Sequence, residues 1–391
     1  MLGIPQDMHM PKLLIVSTVY VTIRAFLLPY ARYFCNKGWI VHGMANGVNT
    51  CPLCIEAFDK VWHVPFSRFP LNKSNFIEAP RMLLETIINE KYDIIHVHTP
   101  VAAFLVRCTL ASLPFDLRPT LIYTAHGYHF HTNGRFIHNS VYLLLEKLAA
   151  RWTDYTIVIN RDDYFASLRH NIMPADKLLY APGIGVDLSH YDPARVSEED
   201  VGNIRKSLAL SSADHLFVMI AAFDPMKRHC DIIRALSLIG RPCFHVAFAG
   251  NDGPTTQEAR NLANKLGLAQ NIHFLGYRTD IPALIKAATA VLLPSEREGL
   301  PRCLLESMAM CVPFVASRIK GIVDLAEHGC GILHEVGDTR AIASAMQWVA
   351  DHPHDAGIMG TRGGAASRKY EISKLIDFHE ALYNRIIDQR T

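Results

Sequence analysis

The stretch Ala288-Thr-Ala-Val-Leu-Leu-Pro-Ser-Glu-Arg-Glu-Gly-Leu-Pro-Arg-Cys-Leu-Leu-Glu-Ser-Met-Ala-Met-Cys-Val-Pro-Phe-Val-Ala-Ser317 decides how this chain is read. Residues 288 to 294 form a short apolar run closed by a proline, the pattern of a buried parallel strand. A polar loop follows. Gly299 permits a tight turn, Pro301 suits a first helical position because it lacks the N–H that an early helical residue leaves unpaired, and Arg302 to Met310 can continue as helix. Cys311 to Ser317 reads as the next strand. The unit is strand, loop, helix, strand. Glu298 stands on the loop at the helix start, and Glu298 and Glu306 enclose seven residues.

The amides of residues 299 to 303 would point out of that helix end, where unpaired N–H groups and the helix dipole favour a phosphate or diphosphate. A carboxylate beside a diphosphate is repelled unless it serves something neutral. An ionised glutamate only accepts hydrogen bonds, so the hydroxyl groups of a ribose and a hexose suit it. The ligand that meets both demands is a sugar joined to a nucleoside diphosphate. Two solvated glutamates beside an ordinary helix are the plainer alternative, and the strand-loop-helix-strand context counts against it. The whole unit resembles the retaining family 4 glycosyltransferases of the GT-B class. That resemblance implies an α/β protein of GT-B architecture, with two Rossmann-like, doubly wound parallel-sheet domains facing a central cleft.

A chain of 391 residues, half of them hydrophobic, can build two domains each with its own core. Its formal charge of +2 and the lack of a long basic run argue against a nucleic-acid partner. Met1 to Pro11 lacks the basic start and long apolar core of a signal peptide, the apolar run from Leu13 is broken by Arg24, and no segment reads as a transmembrane helix. Nine cysteines scattered through strands and helices read as reduced residues of a cytoplasmic enzyme. Cys51-Pro-Leu-Cys54 has no second pair to complete a zinc site.

Lys12 to Thr18 reads as a first buried strand, Leu27 to Lys37 as a helix closed by Gly38, and Trp39 to Ala45 as the next strand. The alternation continues through Val61-Trp-His-Val64, a helix near Ser74 to Asn89, and Ile94 to His98, as in a doubly wound parallel sheet. The turn Val19 to Arg24 has no glycine, so it is not a dinucleotide-binding loop and an NAD enzyme is disfavoured. His96 and His98 fall on one face of their strand, and Leu121 to Gly127 ends at His126, with His129 and His131 beyond. With no HExxH motif or acidic ligand set, these histidines read as hydrogen-bonding groups at strand ends. The resemblance implies that the Val19 to Arg24 turn faces the acceptor, with Arg24, His98 and His129 on that side, and that His126 of Tyr123-Thr-Ala-His-Gly127 faces the donor sugar.

A helix near Ser140 to Trp152, a strand Asp154 to Ile159 and a helix Asp162 to His170 follow. Leu178 to Asp187 resembles the family's crossing between domains, with Pro182, Gly183 and Gly185 bending the chain and a linker near Ser189 to Asp200. The domains are then an acceptor-binding one at 1–190, a nucleotide-sugar-binding one at 191–372, and a helix at 373–391 that returns to the first.

The second half restarts with the strand Leu216 to Ala222, which delivers Asp224-Pro-Met-Lys-Arg228 to a strand's carboxyl end, where ligands bind in open α/β sheets. The resemblance implies a phosphate-binding Lys227 with Arg228 beside it, although the family's frequent Arg or Glu five residues earlier is Ala222 here. Phe244 to Pro254 reads as a strand and a Gly250/Gly253 turn, followed by a helix to Leu266 and the segment Ile272 to Arg278. The resemblance implies that these strand ends line the nucleotide pocket, with Gly253, Tyr277 and Arg278 as candidates. A helix Thr339 to Ala350 and a last one from Ser373 to Ile387 complete the chain.

The function implied is transfer of a hexose or N-acetylhexosamine from a UDP-sugar, with retention, to a free or lipid-linked sugar in polysaccharide or glycolipid assembly. Glu298, His126 and Lys227 are the catalytic candidates; Glu306, Arg228, Gly299, Leu300, Pro301, Gly253, Tyr277 and Arg278 are the donor-binding ones. Lys227 and the 299 to 303 amides would stabilise the leaving diphosphate without a metal, and no DxD motif is present to hold one, so no cofactor is expected. A non-catalytic nucleotide-sugar-binding subunit and a GT-B epimerase are the alternatives. Basic and aromatic residues also lie together in two stretches. Arg24, Arg32 and Lys37 lie among Phe26, Leu27, Leu28, Tyr30, Tyr33 and Phe34; Arg135, His138, Lys147 and Arg151 lie among Phe136, Tyr142, Leu143, Leu144 and Trp152, with Glu146 the only acid. Such surfaces suit reversible contact with an anionic inner-membrane face.

Overall fold

The computed structural model describes residues 10–130 and 136–390, which leaves His131 and Arg135 outside the described residues. The chain divides into two compact units, Met1–Ala181 with Leu375–Thr391, and Pro182–Lys374. Each is built on one parallel sheet.

In the first unit the strands are β1 (Lys12–Val19), β2 (Ile40–Asn46), β3 (Lys60–His63), β4 (Ile94–His98), β5 (Thr120–Ala125), β6 (Tyr155–Val158) and β7 (Leu178–Tyr180). Their order is β3-β2-β1-β4-β5-β6-β7, with every neighbour parallel. Six consecutive residues of β1 are buried, as expected of a strand covered on both faces. The terminal helix Ile372–Asp388 packs on this sheet: the Tyr383 hydroxyl lies 2.5 Å from His96 Nδ1, and the Tyr33 hydroxyl donates to Glu380 at 2.7 Å.

Two expectations for this unit need correction. Val19 to Arg24 is not a loop. Helix begins at Tyr20 directly from β1, passes through a π-turn at Ile23–Leu27 that contains Arg24, and continues as Leu28–Asn36. The first of the two basic and aromatic stretches is also not a surface patch. Leu27, Leu28, Tyr30 and Phe34 are buried, and Lys37 pairs with Glu380 at 3.1 Å, because this helix uses its apolar face to hold the terminal helix.

The second unit has β8 (His215–Ile220), β9 (Phe244–Ala249), β10 (Ile272–Gly276), β11 (Ala290–Leu293), β12 (Phe314–Ser317) and β13 (Gly331–His334), in the order β10-β9-β8-β11-β12-β13 and all parallel. Phe217 and Met219 enter one core, Leu216 and Val218 another, so alternate residues of β8 cover opposite sheet faces. The stretch Ser189 to Asp200 is an ordered part of this unit. Ser197 caps the helix Glu198–Ser207 and exchanges hydrogen bonds with Asp200, a capping box that draws these residues into the helix start.

The helix Pro353–Ser367 has no counterpart in the sequence reading; Gly357, Gly360, Gly363 and Gly364 lower its local helix propensity. Its glycines allow a close approach to the end of the helix Arg302–Ala309: a Cβ on Gly360 would lie 2.0 Å from the Cys311 carbonyl oxygen, and one on Gly364 2.5 Å from Cys311 Sγ. That packing holds the helix on which Glu306 sits.

Candidate functional site

Both sheets reverse strand order at one point, between β1 and β4 in the first unit and between β8 and β11 in the second. At such a point the loops leaving the two central strands diverge to opposite faces and leave a crevice at their carboxyl ends.

In the second unit the loop after β8 carries Lys227 and the loop after β11 carries Glu298. The Glu296 amide donates to the Met226 carbonyl at 2.8 Å, which ties the loops together. Lys227 Nζ then donates to Glu298 Oε1 at 2.5 Å, with the side chains only 29 % and 12 % exposed. Burial pulls the Lys227 ammonium towards neutrality, but the charge and hydrogen bond of Glu298 outweigh it and raise the pKa above its usual 10.5.

Pro301 stands just before the helix Arg302–Ala309 as its N-cap, with φ −74° and ψ 122°, rather than as its first residue. The Leu304 amide bonds back to the Pro301 carbonyl at 3.2 Å, and the amides ahead of it face away from the helix body. The turn at Gly299 is braced from outside. A Cβ on Gly321, which has φ +76°, would lie 1.8 Å from the Gly299 carbonyl oxygen, so residue 321 must be glycine for this backbone to pass. The Leu300 side chain is buried and lies against Gly183, where a Cβ would meet it at 2.6 Å. Leu300 therefore offers its backbone, not its side chain, to a ligand.

Glu306 lies on the buried face of that helix. Arg302 Nε is 2.8 Å from its Oε1, and the Tyr191 phenol hydrogen-bonds the same carboxylate. Burial pushes the Glu306 carboxyl above its usual 4.5, against the pull of Arg302 and Tyr191. Between the two glutamates the Cys303 thiol is pushed up to about 12 by burial and then by Glu298, and stays neutral. Sequence reasoning missed Tyr191, Cys303 and Gly321; only proximity in space reveals them.

Arg228 takes a left-handed conformation, φ +57°, at the start of the helix His229–Ile239, and its Nε donates to Asp231 at 2.6 Å. Gly253 sits where the loop after β9 crosses the loop after β8: a Cβ there would lie 2.2 Å from the Phe223 carbonyl oxygen, while its amide donates to the Thr256 hydroxyl at 2.9 Å. Tyr277 is exposed, and Arg278 Nε donates to Asp280 at 2.7 Å.

In the first unit His98 Nδ1 lies 3.0 Å from His126 Nε2. The pair ends a column of imidazoles, with the His96 and His98 rings 4.1 Å apart and His96 and His379 stacked at 5.5 Å. Burial, and then the neighbouring His379, lowers His126 to about 4. Burial lowers His379 to about 4 as well, and keeps His96 and His98 well below the usual 6.5, so the column is neutral. His129 lies beside Tyr142 with ring centres 5.0 Å apart and the rings tilted by 34°. Next to His98, Thr99 holds φ +73°, a strained value for a β-branched residue, and its hydroxyl accepts from the Thr18 amide at 2.9 Å across the β1/β4 switch point. Arg24 is half-buried on the π-turn after β1. Among the described residues no group of three His, Cys, Asp or Glu side chains is placed to hold a metal ion.

The architecture and the sequence both match known proteins. Residues 27–188 match the model described as Glycosyltransferase Family 4, and residues 200–363 the one described as Glycosyl transferases group 1. A Bacillus subtilis protein named as a glycosyltransferase, EpsD, is 30 % identical over 97 % of this chain and 98 % of its own length. The UDP-Gal:alpha-D-GlcNAc-diphosphoundecaprenol alpha-1,3-galactosyltransferase of Escherichia coli is 28 % identical over 69 % of each chain. Among solved structures, HepE of Anabaena in complex with UDP and glucose superposes with a TM-score of 0.79 at 20 % identity, covering 96 % of this chain and 100 % of that one. Two parallel Rossmann-like sheets, and a relative matched over almost its entire length, place the chain in glycosyltransferase family 4, as a glycosyltransferase of GT-B architecture.

Proposed function

We propose that this glycosyltransferase moves a hexose or N-acetylhexosamine from a UDP-sugar, with retention, to a lipid-linked sugar in polysaccharide or glycolipid assembly. The observation that carries the reading is the Lys227–Glu298 pair beside the amino-terminal end of the helix Arg302–Ala309. Lys227 and the amides around Gly299 and Leu300 neutralise the departing diphosphate, Glu298 accepts from hexose hydroxyls, and Glu306 accepts from the ribose diol. The anomeric carbon loses its bond to the diphosphate oxygen and gains one to the acceptor oxygen on the same face, and the departing phosphate takes the acceptor's proton. Arg228, Gly253, Tyr277 and Arg278 lie at the ends or beyond the ends of β8, β9 and β10, on the side suited to the nucleotide. His126, His98, His129 and Arg24 serve the acceptor side, His126 as a neutral hydrogen-bonding group. Support for a UDP-sugar comes from the UDP and glucose held by HepE, and for a lipid-linked acceptor from the diphosphoundecaprenol substrate of the Escherichia coli relative.

The test is a donor screen that follows UDP release with lipid-linked and free sugar acceptors, and the anomeric configuration of the product. Release only with non-uridine donors, or an inverted product, would refute those parts of the reading.

Peripheral contact with an anionic membrane face belongs to the same proposal, and the helix Phe136–Ala150 is its element. Ile137, Val141, Leu144, Leu145 and Leu148 recur at helical spacing and are all exposed, whereas Leu143 and Ala150 on the other side pack on the core. Glu146 faces inward to Arg107 at 3.1 Å, which leaves Lys147 and Arg151 as the exposed charges beside the apolar stripe. Flotation with anionic vesicles should fall with rising salt. A wild type that stays free of vesicles at low salt would remove this part and leave the transferase reading intact.

A further inference from the structure

The amino-terminal ends of β5, β6 and β7 border an open cavity of about 520 Å³. It lies at the opposite end of the strands from His98 and His126; six residues of β5 at about 3.3 Å each separate the two ends by roughly 20 Å. Four lining side chains are cationic, Arg118, Arg151, Lys177 and Arg390, against two carboxylates, Asp116 and Asp154.

Two of the four cations are held in place, and among the described residues none of the four is in an ion pair, which leaves a formal excess of positive charge over Asp116 and Asp154. Arg118 donates from Nε to the Leu113 carbonyl at 2.8 Å and from Nη2 to the Ala111 carbonyl at 2.9 Å. Arg390 donates to the Arg118 carbonyl at 3.2 Å and the Thr120 hydroxyl at 3.1 Å. Both guanidinium groups are thus held by neutral oxygens and not by carboxylates. Asp154 is already committed, accepting the Leu121 amide at 2.8 Å where β5 begins. Among the described residues of this unit, Lys12, Lys37, Lys60, Arg81 and Arg107 make ion pairs, and the four cavity cations do not. Arg151 and Lys177 are exposed and free to turn inward. A concave surface with like charges concentrates potential, and two fixed guanidinium forks suit a tetrahedral oxyanion with several acceptor oxygens.

We infer that this cavity is a second anion site, which takes a phosphate group. The phosphate can be free or the headgroup of a lipid. The Phe115 side chain in the wall, 89 % exposed, and Trp152 give the cavity an apolar border that either source meets differently.

The experiment uses the full chain in a Lys227→Ala background, so that phosphate bound at the donor site does not mask the second site. Pyrophosphate is titrated calorimetrically, and vesicles of phosphatidylglycerol in phosphatidylcholine are co-sedimented. Arg151→Ala/Lys177→Ala removes the two cations that hold nothing else in place. At about fivefold per basic residue, the pair should weaken one or both probes by roughly 20-fold, while the UDP affinity of the same double variant with Lys227 intact stays at the wild-type value. A fall for pyrophosphate alone assigns free phosphate. A fall for vesicles alone assigns a lipid headgroup when Lys177→Ala by itself reproduces part of it, because Arg151 also borders the apolar stripe of the helix Phe136–Ala150. A vesicle loss carried entirely by Arg151→Ala overturns the inference. The inference is overturned if neither probe responds, or if Lys147→Ala, outside the cavity, weakens vesicle binding as much as the double variant does.

Discussion

Glu298→Gln preserves the shape of the side chain and removes its charge, which separates the two tasks assigned to the Lys227–Glu298 pair. The two groups are 2.5 Å apart, with the lysine 29 % and the glutamate 12 % exposed. A charge-assisted hydrogen bond in such a place contributes about 2 kcal/mol. That is below the 3–5 kcal/mol or so expected of a fully buried pair, because the ammonium still reaches solvent. The variant should therefore lose about 1–2 kcal/mol of stability, since glutamine keeps the hydrogen bond but not the charge. Turnover should fall by roughly 10²-fold, the scale of removing one well-placed polar group from around a transition state. UDP without a sugar should respond in the other direction. In the native site the ammonium is shared between a carboxylate and the diphosphate, and in Glu298→Gln it serves the diphosphate alone, so UDP should bind as tightly or up to about tenfold more tightly. Lys227→Ala should weaken UDP by about tenfold or more. The pH dependence follows the same logic. The wild-type lysine has its pKa raised above 10.5, so the contribution of the pair is present below that pH and is lost only as pH rises through the raised value. In Glu298→Gln the burial that opposes the charge is countered only by the weaker influence of Cys303 and Asp224, and the alkaline limit of UDP binding moves down. Calorimetric titration of UDP with both variants, beside UDP-release kinetics, provides the check. Equal weakening of UDP by the two substitutions, or normal turnover in Glu298→Gln, would refute the division of roles.

The histidine column predicts acid lability of the first unit. His126 and His379 are held near 4 against 6.5 when unfolded, so their contribution is complete above pH 6.5 and is lost as pH falls towards 4, by about 2 kcal/mol each at pH 5. Thermal unfolding with a flat profile between pH 7.5 and 4.5 would contradict this. Gly321→Ala should lower the melting temperature and UDP affinity together, because its Cβ meets the Gly299 carbonyl at 1.8 Å; a variant with wild-type UDP affinity would show that this crossing does not shape the donor loop. Excess chelator should leave turnover unchanged, and loss of activity restored by a divalent ion would instead make the strand-end histidines ligands.

Most of the sheet architecture was legible because parallel strands covered on both faces must be continuous apolar runs. Lys12 to Thr18, Leu216 to Ala222 and Ala288 to Pro294 each announce themselves in that way, and Ile94 to His98 does so with histidines at 96 and 98. The helix directly after β1 was not legible, since a missing glycine excludes one kind of loop without requiring helix. The helix Pro353–Ser367 was hidden for the opposite reason: four glycines lower local propensity, and the close approach to Cys311 explains two of them, Gly360 and Gly364, while Gly363 lies against Cys330 and Met308. The Leu27 to Phe34 stretch misled because an apolar helical face looks the same whether it meets lipid or, as here, the terminal helix.

By itself the sequence determined the alternation of strand and helix, the glutamates eight positions apart at a helix start, and a lysine at the end of a central strand. Each of these rests on local periodicity, turn chemistry or spacing, which neighbouring residues impose on one another. Tertiary structure alone decided which loops meet. Lys227 and Glu298 are 71 positions apart, and they touch because the strand order reverses between β8 and β11. His96, His98, His126 and His379 form one neutral column only because the last helix packs on the first unit's sheet and excludes water from them. Burial and charge pairing depend on distances through space, and no local pattern in the chain encodes those distances.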